Sequence, residues 1–85
     1  MALVILTAAA SDELERLEIV PYGRVLKVLE RLEAWPAVSG AKPLRGNLVG
    51  HYRMRTGDYR VQFQVVGNTV TVERIGHRDG FYDEY

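Results

Sequence analysis

The cleanest pattern in the chain lies over residues 59–66. Tyr59, Val61, Phe63 and Val65 alternate with Arg60, Gln62 and Gln64. Successive strand side chains point to opposite faces, so this period of two predicts a strand with one face on a core and one face free. The same parity over 50–55 sets Tyr52 and Met54 against Arg53 and Arg55. Thr56-Gly57-Asp58 predicts the turn between these two strands. Gly67-Asn68 predicts a two-residue hairpin into a last strand over 69–75, with Val70 and Val72 inward. Arg74 then falls on the inward parity, so a bulge, a strand edge or a snorkelling side chain is expected there.

The first half follows a different period. Residues 2–6 form a short apolar run with Val4 and Ile5, which predicts a strand buried on both faces. Thr7 is placed to cap a helix over 8–18, where Leu14 and Leu17 give a thin apolar stripe. Ser11 with Asp12, Glu13 and Glu15 offers a later start for the same helix. Pro21 suits the first turn of a second helix. Tyr22, Val25, Leu26, Leu29 and Leu32 recur on its one apolar face, and Pro36 stops it at Trp35. A loop over 37–47, rich in Gly and Pro, leads to the sheet. The expected architecture is α+β, in the order β-α-α-β-β-β. A small, largely antiparallel sheet carries an αα-hairpin on one face.

Length and composition narrow the picture further. Eighty-five residues make a single domain, 1–85, with a modest core. There is no cysteine, which excludes disulfides and thiolate zinc sites and fits a cytoplasmic protein. The apolar start is far shorter than the roughly 20 residues of a membrane helix, and Asp12, Glu13 and Glu15 follow it directly. It reads as a strand entering a helix rather than a signal peptide.

Formal net charge is zero, but the charge is unevenly placed. Residues 1–41 carry −2. Residues 42–78 carry seven cations against Asp58 and Glu73, a net +5, and residues 79–85 carry −3. Local charge sets an anion site, so the sheet is basic although the chain is neutral. Arg53, Arg55 and Arg60 share the free face, and guanidinium groups suit bidentate contact with phosphate.

Three blocks in this order carry a resemblance: K-P-L-R-G-N-L at 42–48, Y-R-M-R-T-G-D-Y-R at 52–60 and R-I-G-H-R-D-G-F-Y at 74–82. Together with the strand order they resemble the RelE/ParE superfamily of toxins from toxin–antitoxin pairs, over essentially the whole chain. RelE-type members are metal-independent endonucleases that cut mRNA in the ribosomal A site. The resemblance implies a site of Arg53, Arg55, Arg60, Arg78 and Tyr82. It also implies a cognate antitoxin, the ribosome and mRNA as partners, a toxin–antitoxin complex on operator DNA, and no cofactor or membrane. Arginines stand where the best-known members have lysines. ParE-type members share the fold and poison DNA gyrase. A non-enzymatic binding module of that kind, or a degenerate toxin that only binds antitoxin and operator, is the alternative that zero net charge favours.

Metal-free RNA cleavage needs a base for the 2′-OH, cations for the phosphorane and an acid for the leaving oxygen. Arginine stays protonated and serves as a cation, not a base. His77 has the chemistry of a base. Tyr82 has it only if neighbouring guanidinium groups favour its phenolate. The expected product is a 2′,3′-cyclic phosphate. Structural readings stand beside these. A strand arginine is commonly a solvated face residue, and His77 follows Gly76 in a turn. Tyr82 can pack the tail on the sheet, and Arg74 can pair with Glu73 or cover the core. His51 reads as a surface or loop residue, and Trp35 as core. The glutamates of both helices read as wet faces rather than paired catalytic carboxylates.

Overall fold

Two glycines with positive φ, Gly57 (61°) and Gly67 (59°), fold the second half of the chain into a meander. Each opens a two-residue turn, because Thr56 pairs with Tyr59 and Val66 with Thr69. Among the described residues none other than glycine has positive φ, so both turns place it at their first central position alone. That is the turn whose twist matches the flanking strands. A computed structural model describes residues 1–77. In it β1 (Leu3–Leu6) leads to α1 (Ala8–Glu15) and α2 (Ile19–Leu32). Then come β2 (Lys42–Pro43), a single 3₁₀ turn (Gly46–Leu48), β3 (His51–Thr56), β4 (Tyr59–Val66) and β5 (Thr69–His77).

The five strands stand in the order β1-β5-β4-β3-β2. The hairpins are antiparallel, but β1 runs parallel to β5, with Leu3 beside Thr69 and Leu6 beside Val72. This makes the sheet mixed, and the two intervening helices form the long crossover that a parallel pair needs. The α+β architecture expected from sequence is present, with one strand more. Lys42 and Pro43, expected in a loop, pair with Arg53 and Tyr52 as a two-residue edge strand. An edge accepts proline because one side of the strand makes no ladder hydrogen bonds.

The expectation that the first strand is buried on both faces is corrected. Leu3 is 61% and Ile5 43% exposed, because β1 lies at the edge and helices cover only one face of the sheet. The first helix ends at Glu15 rather than near residue 18. Thr7 caps it as expected, its hydroxyl oxygen accepting from the Ala10 N–H at 3.0 Å. The second helix ends at Leu32, ahead of Trp35. Its buried row is Val25, Val28 and Leu32; Tyr22 and Leu26, placed on that face by spacing, flank it and are 38% and 36% exposed. Residues three and seven apart stack on one helix face, so Val28 completes a row that Leu26 sits beside.

α1 lies over β5 and β1, and α2 over β3 and β4. The core between them is built from Val25, Val28 and Leu32 against Met54, Val61, Phe63, Val70, Val72 and Ile75. Trp35 sits edge-on to Tyr52 and Phe63, at centroid distances of 4.8 and 5.5 Å, and closes one end.

The break in register at Arg74 is a bulge. Phe63 pairs with Val72 and Gln62 with Arg74, which leaves Glu73 as the extra residue of β5. The extra residue resets the alternation. Ile75 returns to the core, 1% exposed, and Arg74 turns to the free face.

Candidate functional site

The face of the sheet away from the helices carries the arginines of β3 and β4. Strand register arranges it in rows. Lys42, Arg53, Gln62 and Arg74 stand side by side across β2, β3, β4 and β5. One row along, Arg55 faces Arg60, and Gly76 beside Arg60 adds no side chain. One row the other way, His51, Gln64 and Thr71 align. Arg55 is exposed, and Arg53 and Arg60 are half-buried. Arg55 makes no ion pair with a described residue. Directly opposed like charges weigh against strand pairing, and an anion lying between Arg55 and Arg60 would offset that.

The carboxylate on this face is engaged. Glu73, on the outward parity of β5, accepts from His51 Nδ1 at 2.7 Å and from Gln62 Nε2 at 3.3 Å. Both side chains of this contact are largely covered, His51 16% and Glu73 26% exposed. His51, read from sequence as a surface or loop residue, is thus a strand residue with a close partner. Its parity with Arg53 was available in the sequence. The outward parity of Glu73 was available too; what the sequence withheld is the register that sets Glu73 of β5 near His51 of β3, two strands away.

Arg74 points to the far edge. Its guanidinium lies 3.8 Å from Glu13 of α1, rather than pairing with Glu73. The other oxygen of Glu13 accepts the Ile75 N–H at 2.8 Å. The reason is the length of β1. Its pairing with β5 stops at Val72, so the next edge amides need another acceptor, and the helix supplies one. Thr7 extends the same edge, its amide donating to Val72 and its hydroxyl to Glu73 backbone oxygen.

Of the six residues singled out from sequence, Arg53, Arg55 and Arg60 come together on this face. His77 lies at the end of β5 on the helix-side parity, paired with Tyr59 and edge-on to its ring at 5.5 Å. It stands on the opposite side of the sheet from the arginines. Arg78 and Tyr82 lie outside the described residues. Among the described residues no cluster of His, Cys, Asp or Glu is placed to hold a metal. No helix among them is long and apolar enough to cross a membrane.

Comparison with known proteins bears on the family and the fold. Residues 4–80 match the model of the ParE toxin of type II toxin–antitoxin systems, parDE. Toxin RelE3 of Methanocaldococcus jannaschii is 40% identical over 35 residues. That match covers 41% of this chain and 40% of the relative, so the chain spans about two-fifths of that protein. Among solved structures, the RelBE2 toxin–antitoxin complex of Mycobacterium tuberculosis superposes with a TM-score of 0.77 at 26% identity, over 91% of each chain. The RelB–RelE complex of Methanococcus jannaschii gives 0.78 at 21%, over 95% of this chain and 98% of that one. The isolated Escherichia coli RelE toxin gives 0.77 at 22%, over 91% and 84%. The last two speak for the fold. The family model extends from β1 through the whole basic face, and on that ground this chain belongs to the RelE/ParE superfamily as a toxin of the type II toxin–antitoxin class.

Proposed function

We propose that this toxin is a ribosome-dependent mRNA endonuclease that cuts mRNA in the A site by metal-independent attack of a 2′-OH on the adjacent phosphate. The observation that carries the reading is the opposed pair Arg55–Arg60 with Arg53 one row away, three guanidinium groups on one open face. A phosphorane carries more negative charge than the phosphodiester it forms from. Fixed cations therefore stabilise the transition state more than the ground state. Arg78 and Tyr82 follow β5 in sequence and complete the cation set and the stacking or proton-transfer partner that the resemblance implies. His77, the other titratable group read from the sequence, stands on the helix-side parity, away from the arginines. A cognate antitoxin, a small protein with an acidic or amphipathic segment, covers the basic face and silences it.

The test is primer extension on a reporter mRNA in a purified translation system. Expected are cuts that require ribosomes, leave a 2′,3′-cyclic phosphate and fall by about 10²–10³ in Arg55→Ala or Arg78→Ala. Well-folded protein that makes no cuts overturns the reading. The family model that matches is the ParE one, and it supports a second reading, inhibition of DNA gyrase without catalysis. Loss of gyrase supercoiling activity in the presence of the toxin would favour it.

A further inference from the structure

Of the candidate bases, His77 lies on the other side of the sheet and Tyr82 outside the described residues, so the described arginine face still lacks an assigned base. We infer that His51, held by Glu73, is the general base that takes the proton from the attacking 2′-OH. This rests on the endonuclease reading and adds to it a residue that neither the sequence pattern nor the resemblance singled out.

The geometry carries the assignment. His51 Nδ1 lies 2.7 Å from Glu73 Oε1. A carboxylate only accepts, so the ring donates from Nδ1, and the lone pair of the neutral ring is then on Nε2. Nε2 makes no hydrogen bond with the described residues, and no buried side-chain nitrogen or oxygen among them lacks a partner, so Nε2 reaches solvent. Glu73 is itself held by the Gln62 amide at 3.3 Å and by its place in the bulge, which fixes the ring's plane. This is a base oriented by a third group, the arrangement that proton abstraction from a hydroxyl uses. Its place is also right. His51 and Arg53 are two residues apart on one strand, about 7 Å along the same face. A phosphate held at Arg53 therefore puts the neighbouring ribose within reach of the ring. The charged and polar groups facing it are Glu73 from β5, Gln62 and Gln64 from β4, and Arg53 from its own strand.

The step balances simply. Nε2 takes the 2′-OH proton as the 2′-oxygen bonds to phosphorus. The bond from phosphorus to the 5′-oxygen breaks, and that oxygen takes a proton from solvent. The products are a 2′,3′-cyclic phosphate and a 5′-hydroxyl, and the imidazolium returns its proton to water.

Two measurements test this. In ribosome-dependent primer extension, His51→Ala should cut about 10²–10⁴ slower than the parent, the range of a general base, with partial rescue by added imidazole. If the parent cuts and His51→Ala cuts within threefold of it, or is slow and not rescued by imidazole, the dyad is overturned and the endonuclease reading stands. If the parent makes no cuts, the endonuclease reading falls and the role of the dyad falls with it. Independently of ribosomes, ¹⁵N–¹H correlation spectra of the neutral rings should show His51 protonated at Nδ1, and a mixture of tautomers in Glu73→Gln. A ring protonated at Nε2 in the parent overturns the assignment whatever the cutting assay gives.

Discussion

Arg55 and Arg60 stand directly opposite each other across the β3–β4 hairpin, with a glycine, Gly76, as the next neighbour beyond Arg60. Strand pairing alone would favour an opposite charge at one of the two positions. The pair is doubly cationic instead, which suits an anion placed between the two side chains. The consequence is measurable. Arg55→Glu should stabilise the fold by about 0.2–1 kcal/mol through a cross-strand pair, read from urea unfolding, while it abolishes RNA cutting. Loss of stability in this variant would show that the two guanidinium groups do not repel.

The buried row of α2 predicts unequal costs for neighbouring leucines. Leu32 is fully buried and Leu26 is 36% exposed. Leu32→Ala should cost about 2–5 kcal/mol, against less than about 1 kcal/mol for Leu26→Ala. In a domain whose whole stability is about 5–15 kcal/mol, the first change approaches global unfolding. Equal losses in denaturant melts would return Leu26 to the core face.

Thr7 works at both ends of its hydroxyl, capping α1 and donating to Glu73 backbone oxygen at 3.2 Å. Thr7→Ala should lower stability by about 1–2 kcal/mol, whereas Thr7→Ser should keep most of it. Chemical unfolding of the two variants side by side checks this.

The two hairpin glycines separate strain from crowding. Both have φ near 60°, but a Cβ on Gly57 would meet the Arg24 guanidinium at 2.9 Å, and one on Gly67 would meet nothing within 4 Å. Each change to alanine should cost about 1–2 kcal/mol from the left-handed backbone. Arg24 has a flexible end and can swing away, so the difference between the two variants should stay below about 0.5 kcal/mol. Thermal melts that put Gly57→Ala far below Gly67→Ala would show Arg24 to be pinned over the turn.

The parts of the fold legible in the sequence were those with a strict local period. Tyr59, Val61 and Phe63 against Arg60, Gln62 and Gln64 placed the central strand, its two faces and the arginine row correctly. The run Val4, Ile5 and Leu6 was misread. An apolar run says nothing about whether a strand is central or at an edge, and the edge position of β1 comes from pairing with residues 69–72. Lys42 and Pro43 lacked any strand signal of their own and became one through Arg53 and Tyr52. In the site, Arg53, Arg55 and Arg60 followed from parity, and His51 shared that parity. Glu73 stood on the outward parity too, but its meeting with His51 two strands away depends on the register, which a one-residue bulge shifts. The sequence hinted at that bulge through Arg74, where a cation fell on an inward position.

The parallel pairing of β1 with β5 joins Thr7 to Glu73 across 66 positions of sequence. Contacts so distant along the chain close late and slow folding, while the β3–β4 hairpin closes locally. The meander of β3, β4 and β5 closes through two-residue turns, so Glu73 meets His51 through local pairing. The contact that must wait is the docking of the four-residue β1 along the far edge of β5, and the basic face needs none of it.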